Sequence, residues 1–410
     1  MKKKRRRKNK KNNLFLIFFY IAIFVIAFLL FDPSKFLKGK KSVENKATLT
    51  HLTEKDKLEE FNFIMKLLEE DYPYLAINEK YSEVNLSQIK EKYEKLIIET
   101  KDDINYEKIL SDFFKEFNQP NLFLLNSDDY YLYKEYEEIN GNSPWYDVLN
   151  SEMPTLRYGE YKNNFKNSNY FSGLSMTILL ENKIAYIKIT DFSPLFVETD
   201  KPLIENFINS IMDYPYLIID IRDNQGQSIE YVLNNIVEPL AHDTLVMNSL
   251  ILERNENHQE FLNYYNYLPY ITIKTDFEKS SQLKDTPISN DNLENFPLYR
   301  EYNIRIEKKT NFKGEIFLLQ NRNTRNAADF FSQFSNITDF ASTVGQFTGG
   351  NGVNLNTAFI ELPKSGFVLS MPVGMGINEE GSPNTEFGTY PEIRVDEESD
   401  ALNILLEMLN

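Results

Sequence analysis

The chain has no cysteine, which excludes disulfide bridges, a thiolate nucleophile and Cys-ligated metal, and leaves it indifferent to the redox state of its compartment. Histidine is almost as scarce. His51, His242 and His258 are the only three, none falls in a motif, and each reads as a surface residue. There are no internal repeats, and no low-complexity tract beyond the first residues. Positive charge is also in short supply outside that tract. The chain carries a net charge of −16, and setting aside the nine positive charges of its basic tail leaves −25. So acidic a body repels phosphate, which excludes nucleic acid as a partner. No paired-carboxylate or metal-ligand spacing stands out, and no cofactor is indicated.

What is present suffices for a folded body. A length of 410 residues with 42% hydrophobic content accommodates one large core, or a core with a smaller domain. Aromatic content of 14% argues against disorder. Residues 1–13 form a basic tail, with nine Lys/Arg among the first eleven, and 14–31 are an unbroken apolar run of 18 residues. That length fits a membrane-spanning helix. The run ends in Leu29-Leu30-Phe31-Asp32-Pro33, bulky and then helix-breaking, not in the small residues of a signal-peptide cleavage site. The expectation is an uncleaved signal anchor with the basic flank inside and the bulk of the chain extracytoplasmic. The tail also suits contact with anionic lipid heads.

Residues 32–52 read as a linker. From 53 to 125, Leu58, Phe61, Ile64, Leu67 and Leu68, then Ile89, Tyr93, Leu96 and Ile97, recur at helical spacing and predict a helical cap. Residues 126–174 are polar and Tyr-rich with weak periodicity, a connecting segment. From 175 to 410, short apolar runs at 176–180, 184–189, 217–221 and 315–319 alternate with helical patterns at 202–212, 229–240 and 327–334, which predicts an α/β layered core. Residues 243–312 read as an insert that elaborates this core.

Two junctions carry the chemistry. The run 217–221 leaves a buried strand through Arg222-Asp223-Asn224-Gln225-Gly226, a polar turn at a strand's carboxyl end, where α/β sheets place ligands. The run 314–331 reads as strand, polar turn and helix start, the place where hydrolases of this architecture hold a nucleophile. An ordinary strand-end turn would account for the first, and Asn326 as helix N-cap with Asp329 near the dipole's positive end would account for the second.

The second junction, with Glu60-Phe61-Asn62-Phe63, Glu70-Asp71-Tyr72-Pro73-Tyr74, the Asp220-x-Arg222-x-Asn224-x-Gly226 strand end and Val344-Gly-Gln-Phe-Thr-Gly-Gly-Asn-Gly352, resembles the tail-specific (C-terminal-processing) serine peptidases. The likeness is to Gram-positive members without a PDZ insert. It implies a crotonase/Clp-protease-like layered sheet-and-helix core. In that family the helix opens with Ser-Ala-Ala-Glu, and here the matching residues are Asn326-Ala327-Ala328-Asp329. The nucleophile position is therefore Asn326. The base position, a His in the relatives, is Asn121, and the lysine position of Ser–Lys members is Asn351. An orienting acid would fall at Thr385 or Glu386. The resemblance assigns oxyanion N–H groups to Gly226 and Ala327, and peptide-binding backbone to Gly349 and Gly350. Gln227 replaces a usual glycine and would narrow the cleft.

An Asn amide is neither a useful nucleophile nor a proton acceptor near neutral pH. The expectation is a degenerate pseudopeptidase whose cleft, with Asn326 and Asn121 facing each other, still binds an extended peptide or protein C-terminus. The double substitution Asn326→Ser with Asn121→His is expected to revive slow cleavage. The alternatives are an active serine-type peptidase using Thr324, Ser332 or Ser335, and a surface scaffold. Oligomeric state is not legible.

Overall fold

The computed structural model describes residues 51–81, 85–140, 143–159, 172–264, 268–276, 296–352, 357–377 and 388–409. The basic tail, the 14–31 run and nearly all of the linker lie outside these residues, as do Thr385 and Glu386. Among the described residues no helix is long and apolar enough to cross a membrane.

Helix α1, Glu54–Glu70, starts at a capping box in which Thr53 and Asp56 bond each other's backbone. It is followed by α2, Leu75–Tyr81, α3, Leu86–Ile98, and α4, Asp103–Lys115. Their apolar faces meet around Phe113, whose ring lies 5.1–5.4 Å edge-on from Phe61, Tyr93, Phe114 and Phe117. Glu60 is fully buried among them. Its carboxylate accepts the Lys364 and Ser365 N–H groups at 2.7 Å and the Tyr106 hydroxyl at 3.0 Å, which fastens the helices to a distant hairpin.

Strand β1, Phe123–Leu124, leads into α5, Ser127–Asn140, α6, Pro144–Leu149, and α7, Glu152–Tyr158. The expected irregular connection at 126–174 is thus helical over much of its described length. Its Tyr-rich faces bury against the core although their periodicity is weak.

The alternating apolar runs then build the central sheet. Strands β2, Leu174–Leu180, and β3, Ile184–Ile189, are antiparallel; helix α8, Val197–Ser210, crosses to β4, Tyr216–Asp220. A helix α9 over 229–240 follows, α-helical at its ends with a π-helical middle, Val232–Val237. The insert supplies β5, Leu245–Glu253, α10, Gln259–Tyr264, β6, Ile271–Asp276, and β7, Leu298–Ile306. The main sheet resumes with β8, Glu315–Gln320, α11, Ala327–Thr338, and β9, Ser342–Gly345. Strands β10, Thr357–Glu361, β11, Val368–Pro372, β12, Met375–Ile377, and β13, Ile393–Arg394, and helix α12, Ala401–Leu409, complete the described chain.

Six strands in the order β13-β9-β8-β4-β3-β2 make the main sheet, parallel except at β2. Both faces of β4 are buried, which explains its unbroken apolar run. Leu217 and Ile219 pack with Phe330, Phe331 and Phe334 of α11 on one side, and Ile218 packs with Leu319, Val344 and Leu405 on the other. The insert forms an antiparallel sheet, β12-β5-β7-β6, and a third sheet runs β1-β11-β10.

Asp220 is the exception in β4, fully buried and facing α12. The Arg222 guanidinium grips it at 2.6 and 2.9 Å and reaches Asp400, ahead of α12, at 2.8 Å. Hydrogen bonding to Asp220 holds Arg222 firmly in its charged form. Removing one partner of a buried pair strands the other. Arg222→Met is therefore expected to lower unfolding stability by about 3 kcal/mol, read as a fall in urea midpoint. The double change with Asp220→Leu should recover part of that loss.

Candidate active site

Because β4 and β8 are neighbours in parallel register, with Asp220 opposite Leu319, the turns leaving their carboxyl ends emerge side by side. These two turns are bonded to each other. Asp223, at φ 65°, accepts the side-chain N–H of Asn321 and of Asn323, each at 2.9 Å. Those bonds hold its carboxyl below the usual carboxylate range. Asn224 is fully buried. Its side-chain oxygen accepts the Gly226 N–H at 2.9 Å and the Phe192 N–H at 3.3 Å, and its amide N–H donates to the Ile189 carbonyl at 3.0 Å. The Asn224 carbonyl accepts the Arg325 N–H at 2.9 Å. Gly226 is required by close approach, since a Cβ there would lie 2.1 Å from the Phe192 nitrogen.

At the second turn Asn326 has φ 54° and ψ −126°, a conformation costly for a residue with a side chain. It is the sharp strand-to-helix elbow on which hydrolases mount a nucleophile. The Asn326 side chain does not cap α11. Its Nδ2 donates to the Gln225 carbonyl at 2.9 Å, and its Oδ1 accepts from Nδ2 of Asn351 at 2.7 Å. A backbone carbonyl can only accept, so this relay has a fixed direction, and Asn351 must turn its own Oδ1 away. That oxygen is buried and has no hydrogen-bond partner, as is Oδ1 of Asn121. The loop bearing Asn351 is clamped by Asp329 in the first turn of α11. The Asp329 carboxylate accepts the Gly352 N–H and the Thr389 hydroxyl, each at 2.7 Å, and the Thr348 hydroxyl.

Residues 183–395, more than half of the chain, match the model of peptidase family S41. The chain belongs to peptidase family S41. No curated protein matches it. Among solved structures, it resembles a candidate peptidase from Parabacteroides merdae, with 16% identity over 87% of this chain and 97% of that one and a TM-score of 0.52. It also resembles mature CPAF, with 14% identity over 83% and 92% and a TM-score of 0.51, and mature CPAF complexed with lactacystin, with 13% identity over 83% and 94% and the same score. These likenesses concern the fold.

The fold brings Asn326, Ala327 and Asn351, within the matched residues, and Asn121, ahead of them, to the wall of one cleft, about 970 Å³ including its open mouth. Asn121 is 6% exposed, its carbonyl accepting the Ser370 hydroxyl at 3.1 Å. Its amide is not bonded to that of Asn326; the partner of Asn326 is Asn351, the residue that the resemblance sets at the lysine position. The expected oxyanion donors need correction. The Ala327 N–H donates to the Gly226 carbonyl at 3.0 Å, and the Gly226 N–H is held by Asn224. The Gly349 N–H donates to the Thr324 carbonyl at 2.9 Å, and the Gly350 N–H meets the Thr348 hydroxyl at 3.4 Å. Unpaired N–H groups at a helix start must find acceptors, and these turns supply them internally.

Other expected roles also resolve. Thr324 is fully buried, and its hydroxyl bonds the Ile221 carbonyl at 3.2 Å. Ser332 bonds the Ala328 carbonyl within its own helix, and Ser335 is buried in α11. Gln227 is a cleft wall, braced at 3.0 Å by the Tyr133 hydroxyl. The surface reading of His258 is corrected: its side chain is 17% exposed and meets Asp71 at 2.8 Å, away from the cleft. Sequence reasoning missed Tyr133, Glu137 and Trp145, which line the cleft from α5 and α6. The spacing of Tyr130, Tyr133 and Glu137 at three and four residues was the available signal.

Asn224→Ala is expected to strand two buried N–H groups and a carbonyl, costing roughly 2–4 kcal/mol of stability, measured by urea unfolding. Asn224→Asp, which keeps the acceptor, should cost less.

Proposed function

We propose that this S41-family chain is a catalytically silent, membrane-anchored peptide-binding protein, a pseudopeptidase of the type without a PDZ insert. The observation that carries this reading is the relay from the Gln225 carbonyl through Asn326 to Asn351. An elbow shaped for a nucleophile holds an amide, its neighbour at the dyad position is another amide, and the base position is a third. None of these three amides can attack a carbonyl or take a proton near neutral pH. The Ala327 N–H, committed to Gly226, is not aimed at a developing oxyanion.

Binding asks less of the site. Strand β10 is an edge of its sheet and places Thr357 and Phe359 on the cleft wall, where an extended peptide could pair with it. The N-terminal helices would act as a cap beside it. On the far side of Asn351 a second hollow holds Arg322 and Arg325, whose guanidinium groups suit a chain-end carboxylate.

The purified full-length chain is expected to bind extended peptides by fluorescence anisotropy without cleaving them, and to resist a fluorophosphonate serine probe. The double variant Asn326→Ser with Asn121→His should also stay unlabelled, because the Ala327 N–H remains spent. Turnover by the unmodified chain that a serine-directed inhibitor abolishes would overturn this reading. Absence of any peptide binding would favour a surface scaffold.

The anchor rests on the 14–31 run and its basic flank. Protease added to intact cells should remove the acidic body and leave a small membrane stub; a mature soluble chain beginning near Asp32 would refute it.

A further inference from the structure

The cleft beside Asn326 is electrically one-sided. Glu137 and Glu230 line it, whereas no lysine or arginine does. Glu137 is only 6% exposed and bonds the Ser143 hydroxyl, and Glu230 accepts the Asn234 amide at 3.2 Å. Neither carboxylate has an ion-pair partner among the described residues. Lys134 bonds the Tyr130 hydroxyl and the Leu149 carbonyl, each at 3.3 Å, and Lys201, whose charge also reaches Glu230, pairs with Glu238 at 3.4 Å. Burial raises the pKa of both Glu137 and Glu230; at Glu230 the neighbouring Glu198 adds to the rise, and the Asn234 and Tyr136 hydrogen bonds and the Lys201 charge offset part of it. A buried carboxylate is stabilised by a cation placed against it.

The second observation is independent of charge. Oδ1 of Asn121 and Oδ1 of Asn351 belong to cleft-lining residues 6% and 2% exposed, and each lacks a donor. For Asn351 the direction of the relay forbids an amide flip, so what it has to offer is an acceptor. A ligand that satisfies this wall must bring N–H groups. The third observation is aromatic. Trp145 and Tyr264 meet edge to face, ring centroids 4.9 Å apart, and Tyr133 and Tyr136 stand with them along the wall. Aromatic faces beside carboxylates are the recurrent surroundings of bound ammonium and guanidinium groups.

We propose that the cleft selects its peptide by a basic side chain, a lysine ammonium or arginine guanidinium seated between Glu137, Glu230 and the aromatic wall, with Asn121 and Asn351 as neutral acceptors. This rests on the peptide-binding reading above and specifies its ligand. The adjoining hollow is lined by two guanidinium groups, Arg322, which also pairs with Glu397 at 2.7 Å, and Arg325, which also donates to the Gly349 carbonyl at 2.8 Å, and Asn351 lines both hollows. A peptide crossing Asn351 would therefore set a basic residue on one side and its carboxylate end on the other.

The test uses the full-length chain and fluorescent peptides identical except at one position, occupied by lysine, arginine, norleucine or glutamate. Lysine and arginine peptides are expected to bind at least tenfold tighter than the norleucine peptide, with glutamate weakest. In Glu137→Gln and Glu230→Gln, near-isosteric changes checked for an unaltered urea midpoint, the lysine-to-norleucine ratio should fall towards one. Equal affinity for lysine and norleucine peptides, or a preference that survives both variants, overturns the proposal while leaving peptide binding intact. Failure of every peptide in the set to bind overturns both.

Discussion

The architecture of the site depends on the fastening of two turns to each other across neighbouring parallel strands. Strands β4 and β8 set the turns side by side. Asp223, Asn224 and the Gly226 carbonyl then receive donors from the second turn, from Asn321 and Asn323 through Arg325 to Ala327. An elbow at positive φ is expensive for any residue but glycine, and it persists because these bonds and the Asp329 clamp leave the chain no relaxed alternative. Strain at Asn326 is thus held by groups that themselves perform no chemistry.

The elbow residue is itself part of this fastening. Asparagine there is bonded on two sides. It supplies a donor for the Gln225 carbonyl and an acceptor for Asn351, so the elbow is internally satisfied on that side. A serine could not make both bonds with the same reach. The unsatisfied polar atoms lie away from that pair of bonds, at the side-chain oxygens of Asn121 and Asn351.

Much of the fold was legible because buried parallel strands write themselves plainly. The runs at 184–189, 217–221 and 315–319 lie within or one residue beside the observed strands, since most of their residues are buried. The turn residues and the elbow were readable for the same reason: polar letters directly after an apolar run. Helices α5–α7 were not, because their tyrosines are half-buried and polar residues interrupt the stripe. The strands of the insert pair at long range, β5 with β7 and with β12, and no local pattern reveals such partners. The site's hydrogen bonds were hidden more deeply. Which N–H of Gly226 or Ala327 is spent depends on backbone orientation, and residue types alone left both looking available.

The Asp329 clamp has a further consequence for the lifetime of the protein. Asn351 precedes Gly352, the pairing most prone to spontaneous deamidation, because a glycine nitrogen can swing onto the asparagine carbonyl carbon and close a five-membered succinimide. Here that nitrogen is held by the Asp329 carboxylate at 2.7 Å, inside a loop that is almost wholly buried. The attack must break this bond and rotate a stretch of backbone that the clamp holds in place. The same contact that positions the relay therefore slows the chemical ageing that would convert Asn351 into an aspartate and destroy the donor on which Asn326 relies.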